Sequence, residues 1–208
     1  MSHQHRAFAR LVLPQIVTLF TLIFLASSAA QAQTTQRVRG TITGLEGNML
    51  SVKTREGKDV KLMLSEKTVV VASKALKLEE LKPGEYVGAT TQARPDGSMI
   101  AVEVHSISAT AKPGHFEWDL QPGSMMTNGN VTGAVTQTSG GHELKLDHQT
   151  GSRTIVVAPG TPIVTTIPAD RAALKPGETI FTTAAVATDG AMTVQRIQVS
   201  RDGVKPPQ

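Results

Sequence analysis

Apolar residues fall at every second position along most of the chain, the signature of half-buried β-strands. Val38, Gly40 and Ile42 share one face of an opening strand, and Leu50 and Val52 mark the next. Gly44 to Asn48 lies between them and reads as a turn, because Gly and Asn adopt positive φ cheaply. A second turn at Arg55-Glu56-Gly57-Lys58 leads into Val60 to Leu64, and Val69 to Val71 is a further β-branched run. Leu76, Leu78 and Leu81 are spaced for a short helical turn. Lys82-Pro83-Gly84-Glu85 breaks the chain before a strand at Tyr86 to Thr91. Pro95-Asp96-Gly97-Ser98 is a turn, and Met99 to Ile107 is the last strand of this series.

The same order then recurs. Val131-Thr132-Gly133-Ala134-Val135 answers Val38-Arg39-Gly40-Thr41-Ile42, and Leu144-Lys145-Leu146 answers Leu50-Ser51-Val52. Thr150-Gly151-Ser152-Arg153 repeats the hairpin turn, and Ile163-Val164 answers Val69-Val70. Leu174-Lys175-Pro176-Gly177-Glu178 repeats Leu81-Lys82-Pro83-Gly84-Glu85 letter for letter, and Asp189-Gly190-Ala191-Met192 answers Asp96-Gly97-Ser98-Met99. Matches in register along a whole unit predict an internal duplication. The fold expected is all-β. It consists of two tandem, small, OB-like, five-stranded antiparallel barrels, each with a short helical turn before its fourth strand. Closure of each barrel would remove exposed edge strands.

The Gly-centred first strands, the Gly-Asn or Gly-Gly turns and the Leu-Lys-Pro-Gly-Glu turns resemble domain-of-unknown-function family 5666. The resemblance covers both units. It implies exported bacterial β domains of OB-like form and carries over no catalytic residues.

Ahead of the first strand the pattern changes. Arg6 and Arg10 precede an apolar run from Ile16 to Leu25, and Ala30-Gln31-Ala32 follows. That is the order of a secretory signal peptide, with cleavage expected after Ala32 and no stable membrane insertion after processing. Pro14 and Gln15 interrupt the longer run that a spanning helix would need. The domains expected are a signal peptide at 1–32, a first barrel at 33–108, a linker or strap at 109–130, a second barrel at 131–201 and a disordered tail at 202–208. The protein is expected in a periplasm or outside the cell.

Charge and composition narrow the chemistry. The formal net charge is +4, but Arg6 and Arg10 leave with the leader, so the basic balance is no sign of nucleic acid. The processed chain keeps Tyr86, Phe116, Trp118 and Phe181 as its aromatics, without the basic strip that single-strand binding needs. With no Cys, thiol catalysis, disulfides and thiolate metal sites are excluded. His105, His115, His142 and His148 show no zincin spacing. His142 and His148 would lie roughly 20 Å apart on one strand face, too far to share an ion. Neither a nucleophile elbow, a phosphate loop nor a calcium loop is present. The expectation is a protein that is not an enzyme and carries no cofactor. Its partner would be an unknown protein or small molecule in the cell envelope.

The unusual residues gather between the repeats, at Gly114 to Asn130. Three readings of this segment stand. Phe116, Trp118 and Leu120 alternate with Glu117 and Asp119, as in a strap that covers a seam between barrels. Phe116, Trp118, Met125 and Met126 could instead contact a ligand or partner. His115, Met125 and Met126 are ligand types that suit Cu(I) without thiolate, the basis of an alternative soft-metal function.

Overall fold

The computed structural model describes residues 34–133 and 135–207. The leader expected at 1–32 and its cleavage site lie outside the described residues. The chain opens with β1 (Thr34–Glu46), β2 (Met49–Thr54) and β3 (Asp59–Met63), a meander joined by tight turns. Val38, Ile42, Leu50, Val52 and Leu62 are buried, as their alternation predicts. Then comes β4 (Val69–Ala75), a 3₁₀ turn at Leu78–Glu80, β5 (Tyr86–Ala93) and β6 (Met99–Ser106). Next are β7 (Gly114–Glu117), β8 (Met125–Val131), β9 (Thr136–Thr138), β10 (Gly141–His148) and β11 (Gly151–Val157). The chain ends with β12 (Ile163–Ala169), a second 3₁₀ turn at Arg171–Ala173, β13 (Thr179–Val186) and β14 (Met192–Val199). The all-β class is as expected.

Closure runs between the halves of the sequence, not within them. The first ring is β1–β2–β3–β14–β13 and back to β1. Its core joins Val38, Ile42 and Leu50 from the start of the chain to Ile180, Ile197 and Val199 from its end. The second ring is β5–β6–β11–β10–β8 and back to β5, around Val87, Val104, Val131, Leu144 and Ile155. The expected barrels at 33–108 and 131–201 therefore do not each close on themselves. Nor are the rings wholly antiparallel, since β14 runs parallel to β3 and β6 parallel to β11.

The reason lies in β4. After the turn at Ser65–Thr68 this strand does not return to its own ring. β4 leaves the first ring along β14 and pairs antiparallel with β12 at the centre of the molecule, with Ala72 opposite Ile167 and Ser73 opposite Thr166. β12 makes the mirror journey along β6. The 3₁₀ turn thus precedes the fifth strand of the first half, not the fourth, because β4 is a crossing strand outside the ring.

Each Lys-Pro-Gly-Glu turn secures the exchange. The Gly84 amide donates to the Val131 carbonyl at 2.9 Å, and the Val131 amide to the Glu85 carbonyl at 2.8 Å. In the other ring Gly177 donates to Ile42 at 2.9 Å and Ile42 to Glu178 at 2.8 Å. Val131 is therefore the counterpart of Ile42, and Gly129 that of Gly40. A Cβ on Gly40 would lie 2.3 Å from the Lys53 carbonyl oxygen, and one on Gly129 2.4 Å from that of Asp147. Only glycine fits where these strands cross so closely.

Two boundaries change accordingly. The segment expected as a linker at 109–130 contains β7 and nearly all of β8, which is the true opening strand of the second ring. Val131 to Val135 is not that strand. The tail expected to be disordered forms a turn at Asp202–Gly203, closed by pairing of Arg201 with Val204, and Pro206 and Pro207 are buried. Proline loses little conformational freedom on ordering, which lowers the cost of fixing this end of the chain.

Candidate functional site

The central segment is built on the β7–β8 hairpin. Phe116 stands opposite Met126 and Glu117 opposite Met125, and the Trp118 amide donates to the Ser124 carbonyl at 2.9 Å. Trp118 meets Phe116 edge-on at 6.3 Å. From the first ring, the Arg37 guanidinium lies 4.0 Å from the Trp118 ring centre, and Arg39 lies 5.6 Å from it and 4.9 Å from Phe181. Asp119 receives Arg39 at 2.9 Å and Arg37 at 3.3 Å, and Arg55 donates to the Leu120 carbonyl at 3.0 Å. Burial raises the Asp119 pKa, but the hydrogen bond and charge of Arg39, then Arg37, outweigh it and hold the carboxyl below its usual value. The segment thus binds a hairpin of the second ring to β1 and the β2–β3 turn of the first.

The residues singled out in the sequence are only partly brought together. Phe116 and Trp118 are half-buried neighbours. Met126 is 2% exposed and lies on the Phe116 face of β8. Met125, the adjacent residue, faces the other way, together with Thr127 and its partner His115. His115 and Thr127 are hydrogen-bonded, Nδ1 to Oγ1, at 2.8 Å. Burial, then the positive charge of Arg153 and His148, lowers the His115 pKa. The set His115, Met125, Met126 is therefore divided between two faces of a sheet. Among the described residues, no three His, Asp or Glu side chains gather to hold a metal.

A second place was not apparent from the sequence. A cavity of about 720 Å³ lies between the rings, walled by Phe181, Arg196 and Gln198 of the first, His105 of the second, Thr166 of β12 and Pro207. Two rows of paired residues run to it. Arg39, Phe181 and Gln198 are neighbours across β1, β13 and β14, and Asn128, Gly88 and His105 are neighbours across β8, β5 and β6. Gly88 makes room for the imidazole, since a Cβ there would be 2.8 Å from His105 Nε2 and 2.9 Å from Asn128 Oδ1.

The polar groups behind this wall are incompletely paired. Gln198 donates to Ser73 Oγ at 3.1 Å, and Thr90 to Glu103 at 2.8 Å. Asn128 donates to the Lys112 carbonyl at 2.8 Å, yet its Oδ1 is buried without a donor. His105 Nδ1 is buried without a hydrogen bond, 3.7 Å from Glu103. Burial lowers the His105 pKa to about 4, so the ring is neutral near pH 7 and can both donate and accept. Arg196 is the one cation among the described wall residues, and no carboxylate joins it. Such a wall suits a small organic molecule that is uncharged or singly negative, with an apolar body against Phe181. Nothing in the period-two pattern marks it, because its residues come from strands about 90 positions apart and meet only through the exchange.

Compared with family models, curated proteins and solved structures, the chain matches none of them.

Proposed function

We propose that this is an exported, non-catalytic binding protein that takes a small organic ligand into the cavity between its two strand rings. The observation that carries the reading is the cavity itself. Its volume falls in the range of small-molecule sites, and its wall combines one aromatic ring, one guanidinium, a neutral imidazole and hydroxyls. The leader pattern ending at Ala32 supports export to a periplasm or beyond it. The ring order, with the last strand inserted in parallel beside the third, supports an OB-like barrel of the kind implied by the resemblance to family 5666. The shared element order of the halves supports their origin by duplication. In this reading the central segment is a structural strap, and Phe116 and Trp118 set how the rings face each other.

Anilinonaphthalene sulfonate is a suitable probe, since it offers a flat apolar body and one negative charge. It is expected to bind with a fluorescence rise that saturates at about one site per chain, as one cavity implies. Thr183→Trp, which fills the cavity from its wall, is expected to abolish that rise with the fold intact by circular dichroism. An unchanged titration in the filled variant would place the binding elsewhere and end the proposal.

A further inference from the structure

We infer that the cavity between the rings takes a monocarboxylate with a hydrocarbon body, and that Arg196 binds its carboxylate group. The inference rests on the cavity reading above and names the chemical class of the ligand. Arg196 lies opposite Val69 across β14 and β4, whereas Thr166 of β12 lies opposite Ser73, four positions further along β4. The guanidinium nevertheless meets Thr166 Oγ1 at 3.4 Å, so the side chain is stretched along the cavity wall to reach it. That contact is longer than an ordinary hydrogen bond. It engages one of five N–H donors, and its acceptor is uncharged.

The second ring provides an internal comparison. Ile197 pairs with Thr182 as Val104 pairs with Ala89, and Ile197 and Val104 are matching core residues. Arg196 and Glu103, the residues just before them, are therefore counterparts. Glu103 is 6% exposed and accepts a hydrogen bond from Thr90 at 2.8 Å. It is not among the described residues of the cavity wall. Arg196 instead reaches past Thr183, the counterpart of Thr90, to the central strand β12. One ring keeps its charged group within its own strand pair, and the other extends it into the cavity.

The chemistry fits one class of ligand. A single guanidinium with no carboxylate beside it in the described wall favours a single negative charge. Its planar fork matches the two oxygens of a carboxylate, and the Thr166 and Thr183 hydroxyls in the same wall add donors of weaker polarity. An amine would meet the charge of Arg196 uncompensated. A phosphate would bring a second negative charge with no second cation in the described wall to meet it. The body of the ligand is set by Phe181, the direct partner of Gln198 and neighbour of Arg196 on that face. Arg39 lies 4.9 Å from the Phe181 ring centre and holds the ring in place. Ile107, Ala111 and Pro207 extend the apolar part of the wall, which suits a hydrocarbon attached to the carboxylate.

Phenylacetate, phenylacetamide and phenyl phosphate are the probes, the amide being an uncharged match for the acid in size and shape. In calorimetric titrations at pH 7 phenylacetate is expected to bind at least tenfold more tightly than either of the others. Arg196→Gln is expected to lower the affinity for the acid to that for the amide, to leave the amide unaffected and to keep the circular dichroism of the parent. Arg196→Lys keeps the charge without the fork and is expected to fall between the two. Equal affinities for acid and amide in the unaltered protein, or a preference for the acid that survives in Arg196→Gln, would overturn the assignment, as would an acid that does not bind. The dye experiment separates this failure from that of the cavity itself. Dye binding that Thr183→Trp abolishes, together with any of these results, would leave the cavity a binding site for another class of molecule. Dye binding that Thr183→Trp leaves unchanged would end both.

Discussion

His105 shows how a single residue can be set by what its neighbour lacks. Gly88 has no side chain, and the imidazole lies over it, buried and neutral, with a pKa lowered to about 4. In the unfolded chain the same ring titrates near 6.5. Between those values the unfolded state binds the proton and the folded state does not, so stability is full above about pH 6.5 and falls as pH drops toward 4. The span corresponds to about 3 kcal/mol as an upper bound, because the Glu103 carboxylate beside Nδ1 pulls the other way. His105→Gln, which copies Gln198 of the opposite row, is expected to flatten this part of the profile. The measurement is denaturant unfolding of both proteins from pH 7.5 to 4. Equal slopes in the two would show that His105 is not the group responsible. Asp119 acts in a different window. Its pKa is depressed, so its salt-bridge contribution is lost only at still lower pH.

At the scale of elements, β8 is the test of how far patterns can be read. Val131, Gly133 and Val135 spell an apolar–Gly–apolar strand at period two, but so do Thr127, Gly129 and Val131 with a polar start. The structure uses the second frame, because Val131 must meet the Glu85 and Gly84 backbone as Ile42 meets Glu178 and Gly177. Gly129→Ala is therefore expected to cost about 3 kcal/mol or more, since its Cβ would collide with the Asp147 carbonyl. Gly133→Ala meets no atom within 4 Å and bears only the strain of its φ of 74°, about 1 kcal/mol. Urea unfolding of the two variants checks the order, and a larger loss in Gly133→Ala would restore the other frame. The strands, their turns and most of the buried face were thus legible, because burial alternates with period two inside each strand. The partners of β4 and the wall of the cavity were not, because pairing between distant strands leaves no local mark. Phe116 and Trp118 drew attention to the central segment, with three readings of it open, but the groups they meet, Arg37, Arg39 and Arg55, lie in the first ring and look like ordinary surface charges in the sequence.

The exchange makes a definite statement about the whole molecule. Residues 33–108 hold the first three strands of one ring and two strands of the other, so this piece alone holds only part of each ring. It does hold counterparts for what it lacks. β5 and β6 occupy in the second ring the places of β13 and β14 in the first, with Val87 and Val104 where Ile180 and Ile197 stand. Two copies of the piece can therefore complete each other, the opening strands of one closing with β5 and β6 of its neighbour. β4, which crosses out of its ring along β14 as β12 does along β6, holds the copies in that crossed arrangement. The fragment 33–108 is expected to be a dimer with β-sheet circular dichroism and a melting temperature that rises with concentration, as linked folding and association require. Sedimentation equilibrium gives the mass, and a compact monomer with a concentration-independent melt would show that β4 can fold back after all. Inserting Gly-Asn-Gly after Val71 breaks β4 with a turn and is expected to move the fragment toward that monomer. The two outcomes bear on the cavity as well. Its wall is assembled from both halves, so it exists only where the strands have crossed.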